Sequence, residues 1–187
     1  DAGEFGLAEV PLLDDYRGFW FAHFDADAPA LVDYLAGATE YIDLVVDQSP
    51  SGRLEIVSGT QEYDIRGNWK LLVENSFDDY HLHATHSTYL DYMKDTGVDV
   101  KLGKGLMMPT PGIGKALGNG HAVVDNVNFR GRPIAAWIPL YGENAKNEIA
   151  AIRDELVNRL GEDRAHRVAD TNRNLVIDDP QQSSVIY

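Results

Sequence analysis

Not one of the 187 residues is a cysteine. Disulfide scaffolding, Cys-ligated zinc and an iron–sulfur cluster held by this chain are therefore excluded. Long apolar runs are missing too: none approaches the roughly 18 residues of a membrane span, and the opening Asp1 to Val10 lacks the basic-then-apolar pattern of a signal peptide. Positive charge is scarce, with 16 Lys and Arg against 30 Asp and Glu, a net charge of −14 with the six histidines neutral. A phosphate backbone or an anionic membrane surface would be repelled, so neither nucleic acid nor membrane is an expected partner. The expectation is a soluble, cytoplasmic chain of about one domain, which at this size buries roughly 70% of its unfolded surface. The first residue is not Met, and Ser184 to Tyr187 reads like the start of a strand. Both features suggest a piece of something longer.

Aromatic residues crowd the segment Tyr16 to Phe24, which reads as a buried strand ended by the Asp25–Pro29 turn cluster. Leu31, Tyr34 and Leu35 then fall at helical spacing within Ala28 to Gly37, with Asp27 as cap and Gly37 as stop. Strands are expected at Tyr41–Val46 and Leu54–Val57, the second running on to Tyr63–Ile65, with a hairpin turn at Ser49–Gly52. Lys101 to Gly120 holds six glycines and two prolines, which predicts a long irregular loop. Its Gly112, Gly114 and Gly118 make a poor phosphate cradle, because a strand rather than a helix is expected next, at His121–Phe129. Val123, Val127 and Phe129 would share one face of that strand, and a turn at Arg130–Pro133 leads to another strand through Trp137 and Ile138. The clearest helix is Glu143 to Leu160, where Ala145, Ile149, Ile152, Leu156 and Leu160 form one stripe and Gly161 supplies the stop. A second helix is expected from Asp163 to about Thr171. Strands, a central chemistry-bearing helix, more strands and a long helix indicate an α+β fold with helices packed on an antiparallel sheet.

Chemistry concentrates between Trp69 and Met93. Within it, Glu74 to His86 contains three histidines and three carboxylates interleaved with Phe77, Tyr80 and Leu82. Imidazole and carboxylate together suit first-row metals, so a metal site is the leading reading and a solvated polar helix face the alternative. Spacing leaves the ligand set open. Asp79, His83 and His86 lie along one face of an ideal helix, whereas His81 and His86 are roughly 140° apart and converge only if the helix ends, kinks or bulges between them.

Asn68-Trp69-Lys70-Leu71 followed by Glu74-Asn75, Asp78, Tyr80, His81 and His86 resembles the NWK…EN-x-x-D-x-YH-x4-H motif of the catalytic α-subunits of Rieske-type aromatic-ring-hydroxylating oxygenases. The resemblance extends to Tyr16-Arg17-Gly18, to Gly118-Asn119-Gly120-His121 and to Asp170–Leu175, and so covers nearly the whole chain. It implies a helix-grip (START/Bet v 1-like) catalytic domain at residues 26–187, incomplete at both ends, with residues 1–25 closing a truncated Rieske domain. It also implies that His81 and His86 bind a mononuclear Fe(II), in preference to the set containing His83. Asp78 becomes the bridge to a histidine ligand of the Rieske 2Fe-2S cluster in a neighbouring α-subunit, and Asn75 lies near the iron. Glu74, Tyr80 and His83 become supporting residues, while His121 is a pocket contact or a core histidine.

The implied activity is oxygenation of an apolar aromatic substrate by O2, with electrons passed from NADH through a reductase or ferredoxin to the cluster and then to the iron. A β-subunit is a further implied partner. Phe77, Tyr89, Met93, Met107 and Met108 are candidate pocket residues. Two departures stand out: the upstream cluster ligands are not in this chain, and none of Asp125, Asp170, Asp178 or Asp179 has the family context of the carboxylate ligand, expected beyond Tyr187. The segment after Leu175 also looks shorter and more polar than expected. A metal-free helix-grip domain binding an apolar small molecule and a zinc-dependent hydrolase are the rival readings.

Overall fold

The computed structural model describes residues 6, 9–56, 58, 59, 62, 64–77, 81–95, 113–127, 135, 137, 141–169, 171–177 and 184–186. Among these residues, two antiparallel sheets are joined by helices. The first is a hairpin of β1 (Leu12–Tyr16) and β2 (Phe19–His23). The second has four strands in chain order: β3 (Ile113–Gly118), β4 (His121–Val127), β5 (Thr171–Ile177) and β6 (Ser184–Ile186). Helices α1 (Leu31–Leu35) and α2 (Ala38–Val46) precede the central group α3 (Trp69–Phe77), α4 (Leu82–Thr85) and α5 (Ser87–Asp95). A 3-10 turn at Glu143–Ala145 leads into α6 (Lys146–Leu160) and α7 (Glu162–Ala169), which stand in sequence between the adjacent strands β4 and β5. The fold is α+β, as the sequence indicates.

Alternation along the sheet decides what faces the core. On β4, His121, Val123 and Asp125 are buried, and Val123 pairs with Leu175 of β5. Val123, Leu175 and Ile177 pack with Leu35, Ala38, Tyr41, Ile42, Leu156, Ala165 and Val168 from α1, α2, α6 and α7 in one core. Val124 and Val176, which point to the opposite sheet face, are buried as well. Helix α3 packs against β4 and β5, so the central helices are carried by the middle of the sheet. Leu156 is fully buried at the centre of this core. Leu156→Ala is expected to cost about 2–5 kcal/mol, measured by urea unfolding of the full-length protein.

Several sequence expectations are corrected. Tyr41–Val46 is helix, because Ala38, Tyr41, Ile42 and Val46 are all buried when the segment coils against β4, β5 and α7. A short, mostly apolar run fits either period, and tertiary burial outweighs the β-branched preference. Ser49–Gly52 does turn, with the Gly52 amide donating to Ser49 O at 3.0 Å, but it follows a helix rather than joining two strands. Residues 54–56, 64 and 65 form no strand, and Val57 and Tyr63 lie outside the described residues. The glycine-rich loop contains a strand, β3, over Ile113–Gly118; residues 101–112 of that loop lie outside the described residues. Helix α7 stops at Ala169; of the segment after Leu175, Val176 and Ile177 are buried in β5, and residues 178–180 lie outside the described residues. Helix α1 is shorter than expected and begins without a side-chain cap from Asp27. Phe129, the turn at 130–133 and Ile138 lie outside the described residues.

The aromatic segment is two strands' worth of chain folded at Arg17-Gly18. Tyr16, Phe19 and Phe21 turn toward the core, while Trp20 and Leu13, on the other face, are 68% and 61% exposed, so the strand is buried on one side only. Both two-residue hairpin loops adopt left-handed φ at each position: Arg17 56° and Gly18 89°, Asn119 49° and Gly120 84°. That pairing is the type I′ turn, for which Asn-Gly is favoured. A left-handed arginine costs roughly 1–2 kcal/mol by comparison with glycine.

Polar contacts join the layers. The acidic residues Glu40, Asp43 and Asp47 lie along one face of α2. Arg164 donates from Nη1 to Glu40 at 2.7 Å and from Nη2 to Asp47 at 2.8 Å, and Arg167 also pairs with Glu40. Tyr16 donates to Asp43 at 3.2 Å, and burial, followed by the Asp43 charge, pushes that phenol above its ordinary value. On the sheet, Lys115 donates to the buried Asp125 at 2.9 Å and to Tyr41 Oη at 3.2 Å. The Asp125 hydrogen bond raises the Lys115 pKa, so its contribution to stability holds below the usual lysine range and is lost as pH climbs through the folded-state value.

Candidate metal centre

The two sequence-selected histidines meet. His81 stands in the turn that opens α4, and His86 in the bend between α4 and α5. The His81 carbonyl accepts from the Ala84 amide at 3.1 Å and the Thr85 amide at 2.9 Å, a single tight turn that ends before His86. The break removes the 140° separation of a regular helix. The ring centroids are 5.3 Å apart with planes at 65°. His81 is half-buried and His86 exposed, so the pair opens to one side.

Two edge-on imidazoles at this spacing can turn a nitrogen each toward a common point. Neutral imidazole suits iron, zinc and copper, so the donor chemistry fits a first-row metal on two of its positions. Among the described residues no group of three or more His, Asp or Glu side chains is placed to hold a metal.

The other predicted site residues distribute as follows. Asn75 and Glu74 are on α3, both exposed. Asn68 Oδ1 accepts from the Lys70 amide at 3.0 Å, which caps the start of α3 and explains why Asn precedes Trp69. Asp78, Asp79 and Tyr80 lie outside the described residues, as do Met107 and Met108. His83 falls within α4, Phe77 ends α3 and Met93 is in α5. Of the candidate lining, Tyr89 is about half-exposed on α5, with Tyr92 beside it; sequence reasoning did not select Tyr92.

His121 resolves to a core histidine. It is buried, its Nε2 lies 2.8 Å from Tyr34 O, and its ring stands edge-on to Tyr34 at 4.8 Å. Its neighbour Asn119 donates from Nδ2 to Asp33 O and Tyr34 O at 2.9 and 2.8 Å. The Gly118–His121 motif therefore closes the end of α1. Close approach explains Gly37 as well: a Cβ there would lie 2.9 Å from Leu117 O, to which the Gly37 amide already donates at 2.9 Å.

Residues 55–116 match the family described as "Ring hydroxylating alpha subunit (catalytic domain)". The chain is 33% identical over 181 residues to the toluate 1,2-dioxygenase subunit alpha of Pseudomonas putida, covering 94% of this chain and 37% of that protein. With the 2-halobenzoate 1,2-dioxygenase large subunit of Burkholderia cepacia it shares 32% identity over 183 residues, 94% of this chain and 36% of the relative. Its shape is similar to the crystal structure of naphthalene 1,2-dioxygenase from Rhodococcus sp. bound to indole, with a TM-score of 0.65 and 27% identity over 95% of this chain and 37% of that one. The chain spans little more than a third of each of these proteins.

Proposed function

We propose that this chain, as a member of the family of ring-hydroxylating α-subunits, supplies two iron ligands of an oxygenase component that hydroxylates an aromatic ring with O2 and electrons from NADH. The observation that carries the reading is the approach of the His81 and His86 rings across a broken helix. These two residues are the proposed ligands of a mononuclear Fe(II), and a carboxylate from elsewhere in the protein completes the set. Bound iron would supply the one-electron and O2 chemistry that no side chain can perform.

This chain's own residues then orient, exclude and relay. The α4 turn fixes the two imidazoles, and the packing of α3 on β4 and β5 fixes where that turn begins. Asp78 is assigned the bridge toward the Rieske 2Fe-2S cluster of a neighbouring subunit, and Asn75 a place near the metal. Residues 1–25 are assigned to the electron-delivering Rieske domain and 26–187 to the catalytic domain; the exposed face of the hairpin carrying Leu13 and Trp20 is the surface the rest of that Rieske domain would cover. A ferredoxin or reductase and a β-subunit complete the proposed system. The two relatives compared by sequence are named for toluate and halobenzoate, both aromatic carboxylates, which favours a benzoate-like substrate over an uncharged hydrocarbon.

Metal analysis of the full-length protein, coupled to product formation from benzoates and from naphthalene with NADH and a reductase, tests the reading. Iron with hydroxylated benzoate is the expected result. Tightly held zinc with hydrolysis would favour the hydrolase, and high-affinity binding of an apolar molecule without metal would favour the binder.

A further inference from the structure

We propose that Arg17 is a positioning residue: it anchors the tip of the β1–β2 hairpin on the C-terminal end of α2 and so sets the angle at which the electron-delivering domain meets the catalytic body. The proposal deepens the reading above, since it rests on the assignment of residues 1–25. It begins from a contrast within the chain. One type I′ turn carries the favoured Asn119-Gly120, and the other carries Arg17-Gly18, with arginine held at φ 56° where asparagine or glycine would sit more easily. Strain kept at a particular side chain points to what that side chain does.

Arg17 reaches α2. Its Nη2 donates to Asp47 Oδ1 at 2.8 Å and its Nε lies 3.5 Å from Asp43 Oδ1. Asp47 is the C-cap of α2, and its other carboxylate oxygen accepts from Arg164 Nε and Nη2 at 3.1 and 2.8 Å. Arg159 Nη2 donates to the Asp47 carbonyl at 2.8 Å. Three guanidinium groups thus converge on the negative end of one helix, where cations are favoured. The aromatic contacts of Tyr16, Phe19 and Phe21 with the core hold the hairpin close but are non-directional. An ion pair of fixed geometry at the tip supplies the missing direction.

Arg17→Asn makes the test clean, because it improves the turn while deleting the anchor. In the full-length protein, amides of residues 12–23 are expected to exchange with deuterium about fivefold faster or more in this variant. Electron delivery from the reduced cluster to the iron should slow about tenfold or more, given the sensitivity of reacting groups to small misplacements, at unchanged iron content. Asp47→Asn should give at least these changes, since it also loses the Arg164 contact, and adding Arg17→Asn to it should change little further, as expected of partners in one contact. Unaltered exchange and delivery in Arg17→Asn would overturn the proposal, as would additive effects in the double variant. Faster exchange in a protein whose wild type takes no electrons from NADH would uphold the anchor and instead overturn the functional reading.

Discussion

Replacing His81 or His86 by alanine in the full-length protein is expected to strip the iron and reduce oxygenation beyond the roughly 10–100-fold that losing an outer-shell partner costs. His83→Ala is expected to keep both. The ground is geometric: the His81 and His86 rings approach to 5.3 Å because the chain completes one turn and then bends. Removing either ring leaves a single imidazole of the pair, too few to hold a ferrous ion with one carboxylate. Metal content by mass spectrometry after anaerobic loading, read beside circular dichroism, separates ligand loss from unfolding. If His83→Ala released the iron while His81→Ala retained it, the ligands would be the set on one face of a regular helix, Asp79, His83 and His86, and the assignment would fall.

Asp78→Asn is expected to retain iron and lose turnover with NADH by about 10²-fold or more, the order observed when an outer-shell partner or positioned acid–base group is removed. Asparagine preserves the size of the side chain and removes its charge. Asp78 lies three positions before His81, so the substitution removes neither imidazole. Iron content, substrate binding and rate of cluster reoxidation are measured on one preparation. A variant that binds iron and substrate normally but reoxidises its cluster slowly supports the bridge. Normal turnover with NADH would refute it.

Some of this was legible residue by residue. Asn119-Gly120 predicts its own left-handed turn, although in the sequence it sat within what read as a loop. Ile149, Leu156 and Leu160 recur at helical spacing in a segment too long and too regular to be anything else, and α6 follows from Lys146 to Leu160. Tyr41–Val46 misled because apolar and β-branched residues in so short a run satisfy two periods at once. The strand β3 was hidden by its glycines and proline-rich approach, since the hydrogen bonds that make Ile113–Gly118 a strand come from β4 rather than from local preference. His121 could not be assigned from sequence because its partner, the Tyr34 carbonyl, is 87 residues away.

Composition and order of residues determined by themselves which donor atoms are available, that none is a thiolate, and that two imidazoles stand five positions apart. These are covalent facts and need no fold. Only the folded structure shows that the helix breaks between them, that the break brings the two rings together edge-on, and that an arginine in a disfavoured turn conformation lands on the end of α2. The last of these depends on contacts between segments distant in the chain, whose energies outweigh local preference only once the fold has brought the segments together.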